Sequence, residues 1–128
     1  VIEHRLVVPG SVRYMVSSNR RIHWSRRSEV QRYWRELGYL TARDLDMMQK
    51  AHVTFRVRWP TRHRRDVHNY TALVFKPLID GFVDAGVLPD DSDKYLVGPD
   101  LRVAQQPGSF TVEAYIEEVK DDDESASV

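Results

Sequence analysis

The sequence contains no cysteine, which excludes disulfides, thiolate zinc centres and cysteine nucleophiles at once. No apolar run approaches the roughly 18 residues of a membrane span, and the start lacks the apolar core of a signal peptide. A soluble protein of a reducing compartment, without a membrane partner, is expected. The first residue, Val1, is taken as the product of processing or trimming. There is no glycine-rich phosphate loop and no Gly-x-Ser-x-Gly elbow. The five histidines, at 4, 23, 52, 63 and 68, show no zinc spacing.

What is present fits one domain. The chain has 128 residues, enough to bury a core without staples. Its net charge of zero hides a division. Residues 1–65 hold 15 Lys/Arg against 5 Asp/Glu, and residues 66–128 hold 4 against 14. A basic half suggests a polyanion as partner, and the bland alternative is a solvated, salt-bridged surface.

Glu3 to Val8 reads as a strand ended by Pro9-Gly10. A basic loop follows through Ser17-Ser18-Asn19-Arg20-Arg21-Ile22-His23-Trp24. Ser25 or Ser28 is the expected N-cap of a helix with apolar positions Val30, Tyr33, Trp34, Leu37, Leu40 and Leu45. Gly38 inside that stripe weakens it, because mid-helix glycine costs about 1 kcal/mol. The stretch from Val53 to Trp59 alternates strictly, so it is a half-buried strand that Pro60 ends. The segment Thr61–Asn69 has no period and reads as a polar loop. Pro77 and Gly86 bracket a short helix near 77–85. Residues 89–93 form a turn, and strands follow near 94–104 and 110–119. The resulting order is β-α-β-α-β-β, a mixed α/β layer with helices on a small sheet. A single domain over 1–120 is expected, with 121–128 an acidic disordered tail.

The chemistry concentrates between Arg64 and Asp91. Asp66 follows a strand end, Lys76 and Asp80 stand four apart, and Asp90-Asp91 fall in a turn. Converging carboxylates of this kind make an oxygen site for a hard cation, and magnesium asks for only a few of them. Residue by residue, each also has a plain structural explanation: a turn pair, a surface ion pair, a local charge partner.

The run Arg65-Asp66-Val67-His68-Asn69, then Lys76 and Asp80, then Asp84-Ala85-Gly86-Val87-Leu88-Pro89-Asp90-Asp91, resembles the RusA-type Holliday-junction resolvases, in a phage or actinobacterial form. The resemblance spans roughly residues 3–119. It implies a dimeric, magnesium-dependent endonuclease that cuts branched, four-way DNA by paired nicks in the bacterial cytoplasm. It implies Asp66 and Asp91 as metal ligands and catalytic residues, with Asp90 and Asp80 supporting the metal. Lys76 would act at the scissile phosphate, and Asn69 would hold the loop or make a contact behind the metal ligands. His68, counted with the catalytic residues, stands where the family has a second aspartate; imidazole suits manganese better than magnesium. The Asn69–Lys76 spacing is longer than in the enterobacterial form.

Arg20, Arg21, Arg26, Arg27, Arg62, Arg64 and Arg65 lie in loops expected to flank the acidic site and to contact DNA phosphates. His23 and Trp24 could stack on bases, although Trp24 reads more naturally as a core or dimer contact. The stripe Tyr33, Trp34, Leu37, Leu40 suits either the core or a homodimer interface. A looser nuclease pattern, Pro99-Asp100 with Glu118 and Lys120, is formally present. The alternatives to an active resolvase are a catalytically weakened branched-DNA-binding protein and a plain interaction domain.

Overall fold

The computed structural model describes residues 3–120. Six main elements follow the expected order: β1 (Glu3–Val8), α1 (Trp24–Ala42), β2 (Ala51–Arg58), α2 (Lys76–Asp84), β3 (Leu96–Val103) and β4 (Thr111–Glu118). They build a mixed α/β fold whose four-stranded sheet has the order β1-β4-β2-β3. β4 runs antiparallel to both β1 and β2, whereas β2 and β3 are parallel, connected through α2. The proposed tail, 121–128, lies outside the described residues.

Alternation in β2 decides which face of the sheet is dry. Ala51, Val53, Phe55 and Val57 are fully buried, and His52, Thr54, Arg56 and Arg58 occupy the other face. Phe55 stacks on Phe75 and Phe82, with ring centroids 5.1 and 6.0 Å apart. This aromatic group ties α2 to the middle of the sheet, and each such ring contributes roughly 1.5–3 kcal/mol by leaving water.

α1 buries Val30, Trp34, Gly38 and Ala42, a single ridge at four-residue spacing. Leu40 is 44 % exposed and Leu45 lies beyond the helix end, so the apolar stripe is narrower than the sequence suggests. Gly38 is there for packing. A methyl group on it would stand 2.5 Å from the Leu78 carbonyl oxygen and 3.2 Å from the Gly81 Cα. The two helices therefore cross glycine against glycine. Their outer edges are clipped by Arg35, which donates from Nε and Nη2 to the two Asp84 carboxylate oxygens at 2.7 and 2.9 Å.

Two expectations need correction. The N-cap of α1 is His23, whose Nδ1 accepts from the Ser25 N–H at 3.1 Å, rather than either serine. The segment before α2 is not a loop throughout: a 3₁₀ turn at Val67–Tyr70 and a π turn at Thr71–Phe75 run directly into the helix. Pro77 has no N–H to give to a regular α ladder, and the wider turn just before it suits that gap.

Candidate functional site

Lys76, at the start of α2, joins the two halves of the acidic motif. Its Nζ donates to Asp80 Oδ1 and to Asp91 Oδ2, each at 2.5 Å. Asp80 arrives by helical spacing, one turn along the same face. Asp91 arrives by tertiary structure. α2 ends at Asp84, Gly86 just beyond its cap has a φ of +83° that suits glycine, and buried Val87 and Leu88 then anchor the returning chain. The Met48 N–H donates to the Val87 carbonyl at 2.8 Å, which fixes where the Pro89–Asp91 turn emerges. Asp90 closes that turn by accepting from the Asp91 N–H at 2.8 Å.

The charges reinforce one another. Partial burial works against the Lys76 ammonium, but hydrogen bonds and charge from Asp80 and Asp91 outweigh it and raise its pKa. The Lys76 hydrogen bond, followed by its charge, holds the Asp91 carboxyl below its ordinary value. At neutral pH Lys76 is a fixed cation and not a base. Hollows lie on either side of it. One of about 200 Å³ is lined by Thr71, Lys76, Ile79, Asp91, Leu96, Gly98 and Pro99. The other, about 440 Å³, runs between the helices past Gln31, Arg32, Arg35, Ala72, Pro77 and Asp80.

Asp66 has a local task as N-cap of the 3₁₀ turn, its Oδ1 accepting from the His68 N–H at 3.0 Å. The His68 side chain is exposed, and its carbonyl accepts from the Thr71 hydroxyl at 2.8 Å. Asn69 holds the neighbouring loop through its backbone: its carbonyl accepts from the Ser18 N–H at 2.9 Å. That bond brings the Asn19–Arg21 loop beside the Asp66–Asn69 turn. Among the described residues no three Asp, Glu or His side chains converge as a metal-holding group. Asp66, Asp80, Asp90 and Asp91 thus do not form one cage. Asp80 and Asp91, however, already share one cation, the ammonium. Two carboxylate oxygens at a common cation position fit a magnesium ion that keeps most of its water.

The arginines divide into free and committed groups. Arg26 donates to Glu29 Oε1 at 2.6 Å and to the Arg13 carbonyl at 3.1 Å. Arg65 folds back on its own loop, donating to the Thr61 and His63 carbonyls at 3.1 and 3.2 Å, with its guanidinium 4.7 Å from the Trp59 ring centre. Arg62 reaches Gln106 Oε1 at 2.8 Å. Arg20, Arg21, Arg27 and Arg64 have no carboxylate partner among the described residues. The sequence does not single out Arg35 and Gln31, which line the inter-helix hollow. Arg35 sits three residues after Arg32, a helical repeat of basic residues that continues the basic loop into α1.

Trp24 is not a core residue: it is 72 % exposed, in the first turn of α1. Trp34 is fully buried, its Nε1–H donating to the Tyr14 carbonyl at 2.7 Å, so it belongs to the core and not to an interface stripe. The looser nuclease pattern falls apart in the sheet. Glu118 is paired with buried Ala51 and shares its face, whereas Asp100 pairs with Thr54 on the opposite face. Asp100 is bound instead to His52, Nε2 to Oδ2 at 2.7 Å.

No protein-family model matches the chain, and no curated protein matches it significantly. No helix among the described residues is long and apolar enough to cross a membrane.

Proposed function

We propose that the protein is a structure-selective endodeoxyribonuclease of the RusA kind, cutting four-way or branched DNA by hydrolysis with magnesium, or manganese, as cofactor. The supporting observation is the meeting of Lys76, Asp80 and Asp91 from two separated parts of the motif. Asp80 and Asp91 would hold the cation, which when bound would activate water and offset charge on the phosphodiester. The Lys76 ammonium occupies that position here; it would have to swing aside when the ion binds, and from there would neutralise a non-bridging phosphate oxygen as negative charge builds. Asp90 shapes the turn that presents Asp91. Asp66, with one oxygen spent on its cap, offers the other toward solvent. Free Arg20, Arg21 and Arg64 would bind phosphates, and a homodimer would place two sites for paired nicks. The cell compartment that follows from this reading is the bacterial cytoplasm.

A second reading is favoured by the lack of a three-ligand group among the described residues. It is a branched-DNA-binding protein whose cleavage has weakened, with His68 in place of a carboxylate. Cleavage of a labelled four-way junction and its matched duplex, in magnesium and in manganese, separates the two. Wild type should nick the junction symmetrically and leave the duplex intact, and Asp91→Asn should lower cleavage by at least a hundredfold (about 3 kcal/mol of barrier). Junction binding without cutting in either metal would leave the second reading.

A further inference from the structure

Large aromatic side chains rarely stand in water without a use, and Trp24 stands there within an arginine-rich stretch of the chain. It is 72 % exposed, against 0 % for Trp34 and 6 % for Trp59. Among the described residues its aromatic neighbour is His23, with ring centroids 5.4 Å apart. From residue 11 to residue 28 the chain carries five arginines and no Asp or Glu. Of these, Arg26 is spent on Glu29, whereas Arg20, Arg21 and Arg27 have no carboxylate partner among the described residues. An exposed indole in a stretch of chain that also carries arginines without carboxylate partners suits an unpaired nucleobase: the bases stack while the phosphates are neutralised. A purely apolar protein partner would leave those cations uncompensated.

The patch is also aligned with the candidate site. Trp24 and Gln31 are seven residues apart in α1, so they share one face and are separated by about 10 Å along the axis. Gln31 Nε2 donates to the Ala72 carbonyl at 3.3 Å, and both residues line the hollow that ends at Lys76 and Asp80. About 10 Å is roughly three base steps of a strand. We infer that Trp24 is a stacking platform for an unpaired base of branched DNA, holding an opened strand so that it runs along α1 toward Lys76. This rests on the nuclease reading for its substrate, yet it is separately testable.

The test uses the full chain in chelator, so that binding is read without cutting. Tryptophan emission is followed while oligothymidylate, a four-way junction or an intact duplex is added, for wild type, Trp24→Ala and Trp24→Phe. The expected result is quenching by the junction and by oligothymidylate but not by the duplex. Trp24→Ala should lose the quenching and bind the junction about ten- to hundredfold more weakly, and Trp24→Phe should retain most of the affinity. Junction binding at wild-type strength by Trp24→Ala, or binding that leaves the emission unchanged, overturns the inference while leaving the nuclease reading intact if cleavage persists. Quenching and weakened binding as expected, with no cleavage in either metal, keep the platform and remove the nuclease. Absence of all DNA binding removes both. Self-association abolished by Trp24→Ala, with no response to DNA, assigns the indole to a contact between copies and overturns the inference.

Discussion

Glu113 shows how much a single side chain can depend on its neighbours. It sits on the face of the sheet that no helix covers, yet its side chain is only 4 % exposed. Its cover is made by other side chains: Arg5 Nε at 2.7 Å, the Tyr115 hydroxyl at 2.8 Å and Arg56 Nη2 at 3.5 Å. Burial alone pushes the carboxyl pKa up, but the hydrogen bonds from Tyr115 and Arg5 and the charges of Arg56 and Arg5 more than reverse this, and the net direction is down. A carboxyl held low in the folded state stabilises it fully above its unfolded value, near about 4.3, and loses that contribution as the pH falls through the folded value. Glu113→Gln should therefore cost about 1–3 kcal/mol at pH 7, the range for a buried hydrogen-bonded charge. Urea unfolding at neutral pH and again near about pH 3 should show the gap between variant and wild type closing in acid. A gap independent of pH would mean that shape, and not charge, keeps Glu113 in place.

At the scale of elements the helix crossing makes the sharper statement. Helix propensity alone favours Gly38→Ala by about 1 kcal/mol. Packing opposes it, because the added methyl meets the Leu78 carbonyl at 2.5 Å, and backbone cannot rotate out of the way as a flexible side chain can. Overpacking of this kind costs about 1–3 kcal/mol, so Gly38→Ala should lower the urea midpoint without changing the denaturant slope. A raised midpoint would show that the helices can separate slightly at no cost. The same residue marks where sequence patterns stop being informative. Strict alternation from Val53 to Val57 and the Pro77–Gly86 bracket describe β2 and α2 well, because both depend on local geometry. From Val67 to Phe75 the backbone bonding changes from i→i+3 to i→i+5, and no single period survives that change. Buried Leu73, Val74 and Phe75 consequently look like an unpatterned run. The Lys76–Asp80 pair is legible as helical spacing. The Asp91 contact is not, since it depends on how Val87 and Leu88 seat the turn. Trp24 misleads for the opposite reason, being apolar by composition and exposed by position.

Over the whole molecule the charge division becomes a surface with free and committed parts. The basic half supplies β1, the loop at 11–23, α1, β2 and the loop at 61–65, and Ser18 bonded to Asn69 brings the first of these loops against the Asp66–Asn69 turn. Arginines in that region do not count equally toward a polyanion. Arg20 and Arg21 are exposed without a carboxylate partner among the described residues, whereas Arg26 is held by Glu29, by the Arg13 carbonyl and over the Tyr14 ring at 4.8 Å. Each phosphate neutralised releases counterions, so the logarithm of the binding constant should fall with log salt by about 0.9 per contact on duplex arms. Replacing both Arg20 and Arg21 by alanine should flatten that slope by about 1–2 and weaken junction and duplex arms alike, as expected for contacts that carry no sequence information. Arg26→Ala should leave the slope unchanged and appear instead as a small loss of stability, because an ion pair as open as this one contributes at most about 1 kcal/mol. Anisotropy of a labelled junction across a salt series measures all three proteins together. An unchanged slope in the double variant, or an equal change in Arg26→Ala, would mean that DNA approaches a different face, and the loop at 61–65 with its unpaired Arg64 would be the next to test.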